Sequence, residues 1–368
     1  MRKINFKSLT VIAAISFVIL SLVFLVGCVK KKDGEIEIGV ILPLTGPAAN
    51  QGNDSLRGIQ MRLQQYKSGR YGVKLIVEDD KSDSKTALSS FKKLIDVDHV
   101  PVIIGPITSG LVLALAPEVE RSKVVLLAIG ASSPKISQAG DYVFRHALMV
   151  QGQAEAMANF CFNKLINPKV GILYINDETG MAYADYFSKA YTALNGKIIA
   201  TESFDRGSSD YRTQLQKIKA SGATVLYAPG VPQSTGYILK QTAELGFKCN
   251  VLAGYGVEGQ DVIDIAGDEA ERLIYTSFPY DEIFRKMYKK AYDRPPSVGS
   301  GLAYDAMSIV LSILDKGATA GPNLKDALYK EKYQGVTGNI SFDVNGDTLK
   351  EPIILMTVRK GAFVKYGK

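Results

Sequence analysis

Apolar runs that alternate with helix-like segments are the feature that most limits how this chain can fold. Residues 36–42, 73–77, 102–105 and 124–129 are apolar runs of strand length. Between them, residues 52–66, 85–96 and 111–122 place their apolar side chains on one helical face. Strands that alternate with helices in this way predict a parallel β-sheet covered by helices on both faces.

The alternation begins a second time near residue 151. Helical segments at 153–165, 183–194, 211–220 and 235–245 separate strand-like runs at 170–175, 197–203, 225–228, 250–253 and 273–277. The tail has helical segments at 284–292 and 302–316, then two strand-like runs, 338–342 and 353–358, around a polar turn at 345–347. We therefore expect an α/β fold of two doubly wound parallel-sheet lobes, with the tail added to both sheets.

The N-terminus has the pattern of an export sequence. Arg2, Lys3 and Lys7 precede the apolar run 9–26, and Gly27-Cys28 follows. A basic start, an apolar segment and a small residue before a cleavage point are typical of a secretory signal peptide. The segment Leu25-Val26-Gly27-Cys28 resembles the lipobox of bacterial lipoproteins. It implies removal of residues 1–27, a lipid on Cys28 and a short tether at 28–34.

The lipobox leads us to expect an exported protein, lipid-anchored to a bacterial membrane and facing the periplasm or the cell exterior. The alternative is an uncleaved membrane helix, because the apolar run approaches the ~20 residues that a span needs.

Charge and cysteine content exclude some classes of protein. The net charge of +7 falls to +4 once residues 1–27 are removed, and this remainder is spread along the chain. No basic stripe with interleaved aromatic residues predicts nucleic-acid binding. Apart from Cys28, the only cysteines are Cys161 and Cys249, so no disulfide framework is indicated, although one bridge between them stays possible.

Small polar residues follow two strands of the first predicted lobe. Thr108 and Ser109 come after the run 102–105, and Gly130, Ala131 and Ser132 come after 124–129. Ligands of open α/β sheets bind beyond the carboxyl ends of the strands. Hydroxyl groups beside the free N–H groups of a helix N-terminus suit a carboxylate. The alternative for Ser109 is a role only as N-cap of the following helix.

Several segments resemble the family of leucine/isoleucine/valine-binding proteins. Their order and spacing cover the chain from about Ile36 to about Tyr366. The matching segments are 38–47, 78–80 with Ala87 and 94–95, 103–109, 116–117, 131–134, Tyr288, Tyr292, 295–296 and 303–306.

The resemblance implies a type I periplasmic-binding fold, in which a three-strand hinge joins two lobes and the ligand lies in the cleft. The chain would cross between lobes near 145–148, 277–279 and 336–340. Residues 35–146 with 278–336 would form the N-terminal lobe, and 147–277 with 337–368 the C-terminal lobe. The family's partners are an ABC permease and its ATPases, and we expect a monomer. In the family, the positions that match Ser109 and Ser132 hold the ligand's α-carboxylate.

Other ligand-facing positions depart from the family pattern. Gln51 stands where the family tends to have an aromatic residue, and Thr179 stands where it has a tyrosine. Val231 or Gln233 would face the ligand after the run 225–228. Tyr255 aligns with the acidic residue that often receives the ligand's ammonium group. Asp177, Glu178 or Glu258 could supply that charge instead, because an ammonium in a dry cleft needs a strong acceptor.

The residues for catalysis or cofactor binding are sparse. The two histidines, His99 and His146, have no nucleophile near them in the sequence, and Ser109 has no Gly-x-Ser-x-Gly motif around it. We therefore expect no enzyme, no metal and no cofactor. The Gly-x-Gly-x-x-Gly at 254–259 does not fit a dinucleotide site, because it lies in the second lobe and only a short helical segment, 260–266, separates it from the next strand near Leu273. The acidic run 79–83 lacks the glycine and closing glutamate of a calcium loop.

Together these features predict a solute-binding lipoprotein of an ABC transporter that binds a branched-chain or related amino acid. Two alternatives stay open. The cleft could bind an aromatic or aliphatic carboxylate or an amide, and the chain could be the ectodomain of a ligand-sensing receptor.

Overall fold

The computed structural model describes residues 33–67, 69–349 and 352–367. The predicted signal peptide, Cys28 and most of the predicted tether lie outside these residues. The described part of the chain forms two α/β lobes, as expected. Each lobe is built on its own sheet.

The first lobe contains a five-stranded parallel sheet in the order β2-β1-β3-β4-β5. Its strands β3 and β4 are buried along their whole length, which is typical of parallel strands with helices on both faces. The strands are β1 (Glu35–Leu42), β2 (Gly72–Asp79), β3 (Val102–Ile104), β4 (Val125–Ile129) and β5 (Val143–His146). The helices between them are α1 (Ala49–Gln65), α2 (Ser84–Asp96) and α3 (Ser109–Ser122).

The second lobe contains a seven-stranded sheet in the order β14-β13-β10-β9-β8-β6-β7. Strands β6 to β10 are parallel, and the two C-terminal strands pair antiparallel at one edge. The strands are β6 (Val170–Ile175), β7 (Ile198–Phe204), β8 (Val225–Tyr227), β9 (Asn250–Ala253), β10 (Leu273–Ser277), β13 (Ile354–Arg359) and β14 (Ala362–Lys365). The helices are α4 (Val150–Lys164), α5 (Glu178–Ala193), α6 (Arg212–Ala220), α7 (Pro232–Glu244) and α8 (Gln260–Ala266).

Three later helices, α9 (Glu282–Tyr292), α10 (Val298–Asp315) and α11 (Gly321–Lys330), return to the first lobe. Helix α10 packs along α1 and contributes much of the first hydrophobic core. Of the described helices, only α10 is long and apolar enough to cross a membrane, and most of its residues are buried inside the protein.

The third passage between the lobes lies further along the chain than we expected. Strand β12 (Gly338–Ser341) pairs with β11 (Lys332–Gly335) and not with β13, so the predicted strand pair around 345–347 does not form. Ile340 and Phe342 are buried in the first lobe's core, and Thr348 N donates to the carbonyl of Arg145 in β5. The chain therefore stays on the first lobe until Thr348 and joins the second sheet only at β13. The predicted boundary at 336–340 is wrong.

The two other passages lie near residues 146 and 277. The chain leaves β5 for α4 after His146 and returns after Ser277, because Phe278 already packs in the first core. Cys161 and Cys249 are both buried as free thiols, so the disulfide that the sequence left possible does not form.

Candidate functional site

The two sheets direct the carboxyl ends of their parallel strands toward a common cavity of about 120 Å³. The first lobe contributes the loops after β3 and β4 and the first turns of α1 and α10. The second lobe contributes the loops after β6, β7, β8 and β9. This is the position in which open α/β sheets bind their ligands.

Most of the residues predicted from the sequence line this one cavity. They are Gln51, Thr108, Ser109, Gly130, Ser132, Thr179, Val231 and Tyr255. Ala131 is the exception, because its side chain turns into the first lobe's core between Gly130 and Ser132. Strand β4 ends at Ile129 and Gly130 has a φ of +84°, so the chain turns here and places Gly130 and Ser132, but not Ala131, against the cavity.

Ser109 is the first residue of α3, and it is buried. The N-cap position belongs to Thr108, which makes no side-chain capping bond. The Oγ of Ser109 instead accepts hydrogen bonds from Ser133 N at 3.1 Å and from Thr179 Oγ1 at 3.0 Å. A hydroxyl has one donor and two acceptor positions, so the hydrogen of Ser109 can still be donated to a ligand.

Tyr255 connects the second lobe to the first across the cavity. Its hydroxyl donates to the carbonyl oxygen of Gly130 at 2.8 Å. Burial raises the pKa of this phenol well above its usual value, so the hydroxyl stays protonated and remains a donor at neutral pH. Tyr255, which aligns with the family's acidic residue, is thus a neutral residue whose hydroxyl joins the two lobes.

Gln153 in α4 holds the second lobe's side of the site in place. Its Oε1 accepts hydrogen bonds from Tyr183 Oη at 2.8 Å, from Tyr255 N at 3.0 Å and from Thr276 Oγ1 at 2.9 Å. Its Nε2 donates to the carbonyl of Leu148 at 3.0 Å. A buried amide with all these partners fixes the orientation of both tyrosines.

The three acidic residues that the sequence offered have different surroundings. Glu178 does not line the cavity and forms an ion pair with Lys135 of the first lobe at 2.6 Å. Asp177 lines the cavity, accepts from Gly180 N at 2.8 Å as the N-cap of α5, and pairs with Arg206 at 2.5 Å.

Glu258 also lines the cavity and is fully buried. It accepts hydrogen bonds from Tyr275 Oη at 2.9 Å and Ser277 Oγ at 3.3 Å, and Arg285 of α9 lies 3.5 Å away. Burial raises the pKa of Glu258, and the nearby Arg285 guanidinium partly opposes that rise. A second positive charge from a ligand would stabilise its ionised form further.

Several lining residues were not found from the sequence. Arg206 follows the carboxyl end of β7, and this position could have indicated that Arg206 lines the cavity. Ser55 and Ser297 lie on α1 and at the N-cap of α10, and only the packing of these distant helices brings them together.

The two lobes also touch at the mouth of the cavity. Asn50 Nδ2 donates to Asp261 Oδ2 at 2.8 Å, and the Lys135–Glu178 ion pair also spans the cleft. The structure therefore has the lobes closed over the cavity.

Comparison with known proteins gives a consistent result. A family model described as periplasmic binding protein matches residues 35–362. The Leu/Ile/Val-binding protein homolog 2 of Brucella abortus is 26% identical over 90% of this chain and 93% of its own length. A leucine-, isoleucine-, valine-, threonine- and alanine-binding protein of Pseudomonas aeruginosa is 24% identical over 85% and 87%.

Solved structures show the same similarity. The leucine-binding protein LivK of Thermotoga maritima superposes with a TM-score of 0.83 at 26% identity, covering 90% of this chain and 98% of its own. A solute-binding protein of Rhodopseudomonas palustris, solved with 3,4-dihydroxybenzoic acid, has a TM-score of 0.83 at 22% identity, covering 89% and 93%. These relatives are solute-binding proteins and not enzymes. From its two-lobed fold, its interlobe cavity and this match over most of its length, the chain belongs to the periplasmic binding protein family that includes the leucine/isoleucine/valine-binding proteins.

Proposed function

We propose that this protein binds a branched-chain or related amino acid in the interlobe cavity and delivers it to an ABC permease driven by its ATPases. The family implies a location outside the cytoplasm. Within the proposal, residues 1–27 are removed, Cys28 carries the lipid, residues 28–34 form the tether and the protein acts as a monomer. The observation that carries the proposal is the set of free donors around Ser109 at one wall of the cavity.

The ligand's carboxylate would bind at this wall. The first N–H groups of α3 have no intrahelical partner, and the side chain of the N-cap residue Thr108 does not cap them. The hydroxyls of Thr108, Ser109 and Ser132 line the same wall, with Gly130 between them in the cavity lining. Hydrogen-bond donors and the positive end of a helix together stabilise a bound anion.

The ligand's ammonium group would bind to Glu258. Glu178 is held at the mouth by Lys135, and Asp177 is already paired with Arg206 at 2.5 Å. The Oε1 of Glu258 has a longer contact, 3.5 Å, to Arg285. A buried carboxylate with an incomplete partner favours a cationic ligand group.

One observation favours a second candidate, an aromatic or aliphatic carboxylate or an amide without an amine. Tyr255 occupies the position of the family's acidic residue, and its hydroxyl is already used by Gly130. The Rhodopseudomonas palustris protein, which has the same fold, was solved with 3,4-dihydroxybenzoic acid.

Thermal unfolding in the presence of single ligands distinguishes the two candidates. A ligand at about 100 times its Kd stabilises the folded protein by roughly 2.7 kcal/mol. We expect a rise in Tm with amino acids. A rise with benzoate or short-chain acids and none with any amino acid would reject the amino-acid assignment.

Mass spectrometry of the N-terminus tests the anchor. An acylated Cys28 is the expected result. An intact Met1 would favour the membrane-spanning receptor instead of the transport lipoprotein.

A further inference from the structure

One part of the cavity lining carries several polar side chains beside the apolar Val298 and Leu302. The first lobe contributes Gln51 and Ser55 from α1 and Ser297 from the start of α10. They lie together, because a Cβ on Gly299 would be 2.7 Å from Ser55 Oγ and 3.6 Å from the Gln51 carbonyl oxygen.

The second lobe places the Arg206–Asp177 ion pair near this part of the lining. Gly207 follows Arg206, and a Cβ on Gly207 would lie 3.6 Å from Pro47 Cβ, in the loop that leads into α1. The Arg206 and Asp177 side chains are each 29% exposed, and both line the cavity. The pair is therefore available to a ligand that fills the cavity.

These groups have hydrogen-bonding capacity that the protein does not use. Within the described residues, the side-chain amide of Gln51 has no hydrogen-bond partner, and Arg206 uses only Nη2, toward Asp177. A guanidinium has five N–H donors, and a carboxylate has about four acceptor positions, of which Asp177 uses two.

The charges restrict which side chain can fill this part of the cavity. An alkyl group would remove water from the ion pair and from Gln51 without replacing its hydrogen bonds, which is unfavourable. A carboxylate would face Asp177, and an ammonium would face Arg206. A neutral amide satisfies both, because its carbonyl accepts from Arg206 and its NH₂ donates to Asp177 or Gln51.

We propose that the ligand is an amino acid whose side chain ends in a neutral amide, recognised by Arg206, Asp177 and Gln51. This inference rests on the proposed function, since it assumes that an amino acid binds with its carboxylate at Ser109. It places the determinants of specificity at Arg206, Asp177 and Gln51, and leaves the carboxylate to Ser109.

Isothermal titration calorimetry on the full chain in detergent tests the proposal, with L-glutamine, L-asparagine, L-leucine and L-glutamate as ligands. We expect the better of the two amides to bind at least about tenfold more tightly than leucine or glutamate. Arg206→Met should weaken amide binding about tenfold and change leucine binding by less than threefold. Arg212→Met is the matched control, because Arg212 lies on the same lobe and pairs with the exposed Asp210 and Glu244.

Two results would overturn the proposal: tighter binding of leucine than of either amide, or an equal loss for both ligand types in Arg206→Met. Ser109→Ala separates this failure from failure of the proposed function. If leucine binds more tightly than either amide and Ser109→Ala weakens that binding at least about tenfold, the amino-acid site is retained and only the amide specificity is rejected. Absence of binding by every amino acid would reject both. Unfolding of each variant without ligand confirms that it is folded.

Discussion

Ser109 is the residue on which the proposed carboxylate site most depends. Its Oγ accepts from Ser133 N and Thr179 Oγ1, which directs its own hydrogen away from both partners. Ser109→Ala should weaken amino-acid binding by about 1.5–3 kcal/mol, the usual value for a hydrogen bond to a charged group. Calorimetric titration measures this loss. Ser122→Ala, at the last turn of the same helix, removes only a bond to Val119 O and should leave the Kd unchanged.

Asp80 is a second residue with a testable consequence, this time for stability. It is fully buried, and its Oδ2 has no hydrogen-bond partner among the described residues. Burial, assisted by the neighbouring Asp79 carboxylate, raises the pKa of Asp80 from 3.8 to about 6. The folded state therefore holds this proton more tightly than the unfolded chain does. Its contribution to stability is present below pH 4 and is lost as the pH rises through 6.

Asp80→Asn should remove this pH dependence. The amide oxygen can still accept from Ser82 N, as Asp80 Oδ1 does at 2.7 Å. Relative to the unmodified protein, the variant should gain about 2 kcal/mol of unfolding free energy between pH 4 and pH 7.5, since the pKa of Asp80 rises from 3.8 to about 6 on folding. Urea unfolding at both pH values measures the difference. If the variant and the unmodified protein differ by the same unfolding free energy at pH 4 and at pH 7.5, the raised pKa of Asp80 is contradicted.

At the level of single residues, the sequence indicated the hydroxyls that line the cavity better than the charges. Ser109 and Ser132 could be placed there because they follow apolar strands, within a few residues, whose carboxyl ends share one edge. Arg206 could not be assigned, because its direction depends on its partner Asp177, 29 residues earlier. Ala131 was included because a strand end was predicted without knowing which of its residues face the core.

Among the helices, the close contact of α1 with α10 positions the polar part of the cavity lining. Gly58 makes the contact possible, since a Cβ there would lie 2.1 Å from the Ser300 carbonyl oxygen. Gly58→Ala should therefore destabilise the protein by about 1–3 kcal/mol, because the helices must separate. Gly110→Ala is the control, since a Cβ there meets nothing within 4 Å and alanine favours a helix. Urea unfolding compares the two. Equal stability of the two variants would show that the contact is not tight.

Element order within each lobe was predictable, and the last passage between lobes was not. The regular alternation of strands and helices could be predicted, because the hydrophobic periodicity that indicates each element is local in the sequence. The segment 342–348 is held by contacts between residues about 200 apart in sequence, such as the buried pair of Arg145 and Asp347 at 2.5 Å. No local pattern indicates such a pair. The passage predicted from the sequence, at 336–340, therefore lies too early in the chain.

The whole molecule is a pair of lobes whose closed form is stabilised partly by the protein itself. Ser109, Gly130, Asn50 and Lys135 of the first lobe all contact the second lobe directly. A ligand then adds its own contacts to both walls of the cavity. Binding and closure are thus coupled, because any ligand that touches both lobes binds the closed form more tightly.

Tyr255 gives the most direct test of this coupling. Tyr255→Phe removes the hydroxyl that donates to Gly130 at 2.8 Å and leaves the ring in place. Loss of this hydrogen bond, worth about 1 kcal/mol, should change the open–closed equilibrium constant of the unliganded protein by roughly fivefold in favour of the open form. Ligand binding should weaken in proportion, because a smaller fraction of the protein is closed. Small-angle X-ray scattering should give a larger radius of gyration for the unliganded variant, and saturating ligand should restore the original value. Tyr237→Phe, on α7 of the same lobe, should change neither quantity. An unchanged radius in Tyr255→Phe would mean that the remaining contacts across the cleft hold the lobes closed without Tyr255.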